Sequence, residues 1–222
     1  MADYPFTTRE PTPGMAPYED IAFQAIDLPP LAEEHAEPWV FDLVRRADLV
    51  WVVLDGREAL DGFDGVKMLL EARGIGLHSA REVQPPESPP SRAAKKAMLV
   101  LTRADRPETG ESAEVVDELL ERRWPVVAVS STTGSGLDEL KRRTFAALNI
   151  LRVYTKEPGK EADRVPFTLP RGATVADLAA RIHKDLLAHL KFARVWGSGA
   201  FDGQTVQRDH VLAEGDVVEI HA

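Results

Sequence analysis

Short, almost continuously apolar runs alternate with longer amphipathic stretches along the first two thirds of the chain. The runs are rich in Val, Ile and Leu, which is typical of buried β-strands, and they occupy residues 21–28, 49–54, 97–101 and 126–129. Helical patterns lie between or after them, at residues 38–47, 63–73, 112–123 and 137–148. Apolar strands that alternate with helices form parallel sheets covered on both faces. Residues 1–148 are therefore predicted to form an α/β domain with a mainly parallel sheet.

After residue 149 the pattern changes to short strands that lie close together around one helix. The strand-like segments are residues 152–154, 165–169, 193–196 and 216–220. A helix is predicted to begin at Thr174, because Thr174 and Asp177 have the spacing of a capping box and apolar residues from Val175 to Leu186 recur on one face. Residues 149–222 are therefore predicted to be a small α+β domain of the ubiquitin-like, β-grasp type.

Acidic side chains outnumber basic ones, but only in the first domain. The 222 residues contain 27 Lys and Arg against 36 Asp and Glu, a net charge of −9, whereas residues 151–222 contain equal numbers of the two kinds. Such a chain has no general attraction to DNA or to anionic lipid, so any binding to nucleic acid must be local. Neither DNA nor a membrane is expected as a partner.

Composition also restricts the chemistry and the location. The chain has no cysteine, which excludes disulfides and thiolate metal sites. No apolar run approaches the roughly 20 residues that span a membrane, and the N-terminal sequence lacks the features of a signal peptide. We therefore expect a cytoplasmic protein.

Polar residues follow several of the predicted strands at the point where each strand ends. Asp27 ends the first apolar run, Asp105 closes the loop after residues 97–101, and Ser130 and Ser131 follow the fourth run. Open α/β sheets bind ligands outside the carboxyl ends of their strands. The sequence therefore predicts a binding site at this edge of the sheet.

Four motifs in the first domain and four in the second carry a resemblance to a known family. ADYPFTTREPTPG at residues 2–14, DLPP at 27–30, TRAD at 102–105 and SSTTGSG at 130–136 resemble, in order, the switch I, D-x-x-G, N/T-K-x-D and S-A motifs of the Obg and DRG family of GTPases. From residue 147 onward, ILRVYTKEPG, LPRGATVADLAARIHKDL, FARVWG and HVLAEGDVVEI resemble the TGS domain at the end of DRG proteins. The resemblance implies a partial G domain of P-loop type over residues 1–148, followed by a TGS domain.

The resemblance implies roles for residues that would bind GTP and Mg²⁺. Thr8 would close onto Mg²⁺ in the triphosphate state, and Asp27 would hold the same ion through water and so contribute to nucleotide binding. The sequence contains no G-x-x-x-x-G-K-[ST] phosphate loop, and Pro30 stands where the family has a glycine. We therefore expect the chain to begin after the family's first strand, phosphate loop and first helix.

The same resemblance implies a set of residues that would recognise the base. Asp105 would accept two N–H bonds from the guanine edge, and the backbone near Ser130 and Ser131 would meet the guanine oxygen. Thr102 and Arg103 stand where the family has Asn and Lys, and an arginine can also stack over a base.

Four basic residues of the second domain are candidates for contacts with phosphate: Arg181, Lys184, Lys191 and Arg194. The alternative is pairing within the helix, because Asp177 and Asp185 stand four residues on either side of Arg181.

Two functional hypotheses follow from these patterns. In the first, the chain is the C-terminal majority of a DRG-like GTP-binding protein of the translation machinery, which binds the ribosome or ribosomal RNA and a regulatory protein of the DRG type. Slow GTP hydrolysis is then expected only together with the phosphate-loop segment, so whether the chain is an enzyme stays open. In the second, nucleotide binding is lost and the protein is a TGS binding module for RNA or for a ribosomal partner.

Overall fold

The computed structural model describes residues 11–31, 37–56, 59–81, 93–197 and 201–222. The chain divides into two compact units. Of the described residues, the first unit contains 11–16 and those between 24 and 148, and the second contains 17–23 and those between 149 and 222. None of the helices in the described ranges is long and apolar enough to cross a lipid bilayer.

The first apolar run forms a hairpin and is not part of the main sheet. β1 (Thr12–Tyr18) and β2 (Ile21–Asp27) make up a two-stranded sheet. The expectation that residues 21–28 are a buried strand of the parallel sheet is therefore wrong, and only Phe23 of β2 is buried. The two residues between β1 and β2 are too few for the crossover that parallel pairing requires, so these two strands pair as a hairpin.

The main sheet of the first unit is parallel, which confirms the expected fold class. The elements are α1 (Pro38–Arg46), β3 (Val50–Asp55), α2 (Ala59–Ala72), β4 (Ile75–Ser79), β5 (Ala93–Thr102), α3 (Pro107–Leu119), β6 (Val126–Ala128) and α4 (Leu137–Leu148). β5 pairs in parallel with β3 along one edge and with β4 and β6 along the other. The sequence pattern misses β4, because Gly76 and His78 interrupt its apolar residues.

Burial of β5 on both faces explains its uninterrupted apolar sequence. Residues 97–101 are at most 3% exposed. Leu99 packs in a cluster with Phe63 of α2, whereas the neighbouring Met98 packs in a different cluster with Leu140 of α4. Because successive side chains of a strand point to opposite faces, every residue of this segment lies in one core or the other.

Two lysines at the start of β5 bind the ends of helices. Lys95 Nζ donates to the carbonyl of Ala47 at the end of α1, at 3.0 Å, and Lys96 Nζ donates to the carbonyl of Ala147 in the last turn of α4, at 3.1 Å. Carbonyl groups at a helix C-terminus lack intrahelical partners and carry partial negative charge, so a cation there is stabilising. This accounts for two charged residues beside a buried segment.

The second unit is a five-stranded sheet with α5 packed on one face. The elements are β7 (Ile150–Thr155), β8 (Phe167–Pro170), α5 (Val175–Ile182), α6 (Lys184–His189), β9 (Phe192–Trp196), β10 (Gln204–Val206) and β11 (Asp216–His221). The strand order is β10-β9-β11-β7-β8, in which β7 and β11 pair in parallel and the other neighbours are antiparallel. Val153, Val195 and Val218 form the core together with Val175 and Leu178 of α5. This arrangement is the expected β-grasp.

α5 begins at the predicted capping box but ends earlier than predicted. Thr174 Oγ1 accepts a hydrogen bond from the backbone N–H of Asp177, whose carboxylate accepts one from the backbone N–H of Thr174 at 2.8 Å. The prediction that one helical stripe continues to Leu186 is wrong. His183 is extended (φ −163°, ψ 141°), and its Nδ1 accepts a hydrogen bond from the backbone N–H of Asp185, which starts a second helix.

Arg152 of β7 binds the turn between β1 and β2. Its guanidinium donates to the carboxylates of Glu19, Asp20 and Glu214, the last two at 2.7 and 2.6 Å. The Tyr154 hydroxyl also donates to Asp20. Burial opposes ionisation of Asp20, but the hydrogen bonds from Tyr154 and Arg152 outweigh it and lower the pKa of that carboxyl below its ordinary value. Charge-assisted hydrogen bonds therefore fix the turn.

Acidification is expected to remove the contribution of Asp20 to stability. At pH 7, Asp20→Asn should lower the free energy of unfolding by about 1 kcal/mol, since the ion pair is partly exposed. The folded pKa is depressed, so this contribution is complete above the unfolded pKa of about 3.9 and is lost as the pH falls through the folded pKa. Urea denaturation at pH 7 and at pH 3 measures the difference. Asp209→Asn, at an exposed carboxylate, is the control, and an equal pH dependence in the two variants would contradict the assignment.

Candidate functional site

The carboxyl ends of β3, β5 and β6 lie at one edge of the parallel sheet. Asp55 ends β3, and Thr102 ends β5. Arg103 and Asp105 follow β5, and Ser130 comes two residues after β6. The parallel pairing therefore brings together most of the residues that the sequence predicts for recognition of a base.

Arg103 connects the ends of β3 and β5. Its backbone lies in the left-handed region, with φ of 66°, and its Nη1 donates to Asp55 Oδ2 at 2.8 Å. The Thr102 hydroxyl donates to the carbonyl of Leu54 at 3.3 Å. Both contacts hold the start of the loop, and the guanidinium is 43% exposed. Asp55 is not among the residues predicted from the sequence, although it directly follows an apolar run, as Asp27 does.

Ser130 positions the carboxylate of Asp105. Ser130 is fully buried, and its hydroxyl donates to Asp105 Oδ1 at 2.6 Å while accepting hydrogen bonds from the backbone N–H groups of Thr132 and Thr133, both at 3.2 Å. The bond from Ser130 is the main cause that holds the pKa of Asp105 below its ordinary value. Asp105 is exposed and therefore presents an ionised carboxylate that can accept further hydrogen bonds from a ligand.

The loop from Ser130 to Gly136 has a tightly defined backbone. The N–H of Ser130 donates to the carbonyl of Ser135, and the N–H of Gly134 donates to the carbonyl of Ser130, both at 2.9 Å. Gly134 and Gly136 have φ of 78° and 75°. A Cβ at Gly136 would lie 1.9 Å from the carbonyl oxygen of Ala128, so this position requires glycine. Ser131 is exposed at the start of the loop.

Of the two predicted Mg²⁺ ligands, only Asp27 is among the described residues. Asp27 ends β2 in the separate two-stranded sheet and is exposed. Thr8 lies outside the described residues. Within the described ranges, no three His, Asp or Glu side chains converge in a way that could hold a metal ion. A single carboxylate does not define a magnesium site.

The four basic residues of the second unit do not share one surface. Arg181 lies in the last turn of α5 and Lys184 begins α6, and both are exposed. Arg194 lies on the opposite face of the sheet, because Ala193 and Val195 on either side of it point into the core beneath α5. Lys191 precedes β9 and lines a shallow groove along α6.

The alternative pairing of Arg181 within the helix is not formed in the described part of the chain. The Asp177 carboxylate binds Thr174 in the capping box, and Asp185 lies beyond the break at His183, whose Nδ1 is 3.5 Å from it. Arg181 is thus available for a partner.

The chain is similar to known proteins both in its second unit and along its whole length. Residues 151–222 match the TGS domain family. The chain is 28% identical to GTP-binding protein 1 of Schizosaccharomyces pombe and 26% identical to developmentally-regulated GTP-binding protein 1 of Xenopus laevis, and each match covers 99% of the chain and 75% of the relative. A GTP-binding protein of Methanocaldococcus jannaschii is 32% identical over 56% of the chain, but only 32% of that protein is covered.

Among solved structures, the crystal structure of a GTP-binding protein from Pyrococcus horikoshii OT3 is similar to the chain, with a TM-score of 0.49 and 18% sequence identity. The match covers 58% of the chain and 46% of the Pyrococcus protein chain. The first unit is an α/β fold with a parallel sheet, and the second contains a TGS domain. Residues 151–222 belong to the TGS domain family, and the chain along its whole length is similar to GTP-binding proteins of the developmentally-regulated type.

Alanine at the two glycines of the loop provides a matched test of its geometry. Both substitutions place a side chain at positive φ, which costs about 1–2 kcal/mol. Gly136→Ala should destabilise the protein by roughly 2 kcal/mol more than Gly134→Ala, because its Cβ must displace the backbone of Ala128, whereas nothing lies within 4 Å of a Cβ at Gly134. Urea denaturation measures both. Equal losses would show that the close approach is relieved without cost.

Proposed function

We propose that the chain recognises guanine nucleotides at the carboxyl edge of its parallel sheet. The observation that supports this proposal is the Asp105 carboxylate, which Ser130 holds at 2.6 Å and keeps ionised while leaving it exposed. The carboxylate would accept hydrogen bonds from guanine N1–H and from the 2-amino group. The backbone N–H of Ser131 would donate to the guanine oxygen.

The same geometry would discriminate against adenine. Adenine has an acceptor at N1 and no 2-amino group, so its edge would present a lone pair to the carboxylate of Asp105. An acceptor facing an ionised acceptor is left unpaired, which is costly. Arg103, held by Asp55 at 2.8 Å, would place its planar guanidinium against the face of the base.

Phosphate binding would be weak in these 222 residues. They contain no G-x-x-x-x-G-K-[ST] sequence, and Pro30 has no N–H to donate to a phosphate. Mg²⁺ binding by Thr8 and Asp27, and slow GTP hydrolysis, are therefore proposed only for a protein that also supplies a phosphate loop. When bound, Mg²⁺ would neutralise phosphate charge.

We propose further that the TGS domain binds the ribosome, through ribosomal RNA or a ribosomal partner, in the cytoplasm. Arg181 and Lys184 support this assignment, because both are exposed at the junction of α5 and α6, with Lys191 nearby along α6. The alternative is that the TGS domain acts as such a module without any nucleotide. A regulatory protein of the DRG type is a further proposed partner.

The proposed base recognition can be tested by NMR titration of the full chain with GMP and AMP. We expect GMP to shift the amide signals of Asp105 and Ser131 with a dissociation constant on the order of 1 mM, about 4 kcal/mol, and AMP to shift them much less. Asp105→Asn should weaken GMP and favour XMP, because the side-chain amide can donate to the 2-carbonyl of xanthine. Equal shifts with GMP and AMP would refute guanine recognition.

The ribosome assignment can be tested by co-sedimentation of the full chain with ribosomes at two salt concentrations. Reversal of two phosphate contacts, in Arg181→Glu with Lys184→Glu, should weaken binding on the order of tenfold and flatten its salt dependence. Arg171→Glu with Arg208→Glu makes the same change in charge at two other exposed positions of the domain. An equal loss in both double variants would place the interaction elsewhere.

A further inference from the structure

The TGS sheet has an outer face, opposite α5, on which aromatic and basic residues alternate. Val195 and Val218 are fully buried in the core under α5. Because strand side chains alternate between faces, their neighbours Arg194, Trp196 and Glu219 point to the outer face. Phe192 and His221 lie on the same face. The residues of β9 and β11 on the outer face are therefore Phe192, Arg194, Trp196, Val217, Glu219 and His221.

Two aromatic arrangements lie on this outer face. Phe192 and His221 are partners in the β9–β11 register, and their rings stack with centroids 4.4 Å apart and planes inclined by 13°. Lys156, just after β7, places its Nζ 4.3 Å from the centre of the Trp196 ring. The side chain of His221 is 26% exposed, so solvent reaches this stack.

A buried carboxylate organises the basic groups of the face. Glu219 is 4% exposed and accepts a hydrogen bond from His221 Nε2 at 2.7 Å. Lys156 Nζ and Arg194 Nη1 lie at 3.8 and 4.0 Å from it, distances longer than hydrogen bonds. Two cations therefore face one anion, and the Arg194 side chain, 49% exposed, retains N–H donors for a further acceptor.

The other half of the face already binds acidic groups. Arg152 and Tyr154 of β7 lie on it and bind Glu19 and Asp20 of the hairpin turn. This contact shows that the face suits anions, and it leaves the β9–β11 half with Arg194 as its most exposed cation.

We propose that the β9–β11 half of this face binds single-stranded RNA. Unpaired bases would stack beside Phe192 and His221, and phosphates would bind Arg194 and Lys156. Aromatic rings on a sheet, interleaved with cations, bind bases that are not stacked in a duplex. The proposal rests on the RNA-associated role proposed above for the TGS domain, but it uses a different surface from Arg181 and Lys184.

Fluorescence anisotropy of the full chain with a labelled oligouridine of about 12 nucleotides tests this proposal. Arg194→Glu with His221→Ala, and separately Phe192→Leu, should each weaken binding about tenfold, whereas Arg208→Glu, a charge reversal elsewhere in the domain, should have little effect. Thermal unfolding of each variant identifies any loss of fold. Ultraviolet cross-linking should attach uridine to peptides of β9 or β11.

Several outcomes would overturn the proposal. These are the absence of oligouridine binding at low salt, equal affinity for duplex RNA, cross-links confined to α5 and α6, or a dimer of the chain that Arg194→Glu dissociates. If oligouridine does not bind but ribosome binding is still lost on reversal of Arg181 and Lys184, this inference fails while the proposed function stands. If the unaltered chain binds neither oligouridine nor the ribosome, both this inference and the ribosome assignment are refuted.

Discussion

The first unit depends on the burial of β5 on both of its faces. Residues 97–101 are almost inaccessible to solvent, and a strand in that position must have neighbours along both edges for its backbone groups. β3 satisfies one edge and β4 with β6 satisfies the other. The parallel register then fixes where each strand ends. The separation of Arg103 from Asp55, and of Asp105 from Ser130, follows from that register.

The sequence allowed the parts of the fold that rest on local patterns to be predicted, and missed those that rest on pairing. The central strand was predictable because burial on two faces requires an uninterrupted apolar run, and the capping box at Thr174 is defined within four residues. An apolar run does not identify the strand with which it pairs, so the sequence pattern places β2 in the wrong sheet. The sequence does not predict the helix break at His183, because the apolar spacing continues across it to Leu186.

The candidate site was likewise predictable in part: its residues follow from local sequence patterns, but the contacts between them do not. Its individual residues were predictable because they end apolar runs or stand in family motifs. The contacts between them were not, because Asp105 and Ser130 are 25 residues apart and Arg103 and Asp55 are 48 residues apart. Contacts between residues so far apart in sequence depend on how β3, β5 and β6 are placed side by side, which only the tertiary structure defines.

In the TGS domain, nearness in sequence proved a poor guide to a shared surface. Arg194 follows Lys191 closely, yet strand alternation turns it toward the face that also carries Arg152. The two arginines differ because of their acidic neighbours. Arg152 meets three carboxylates and is 16% exposed, whereas Arg194 has only Glu219, at 4.0 Å, among the described ion pairs and is 49% exposed. One half of the face is therefore satisfied within the chain, and the charge of the other half remains available to a ligand.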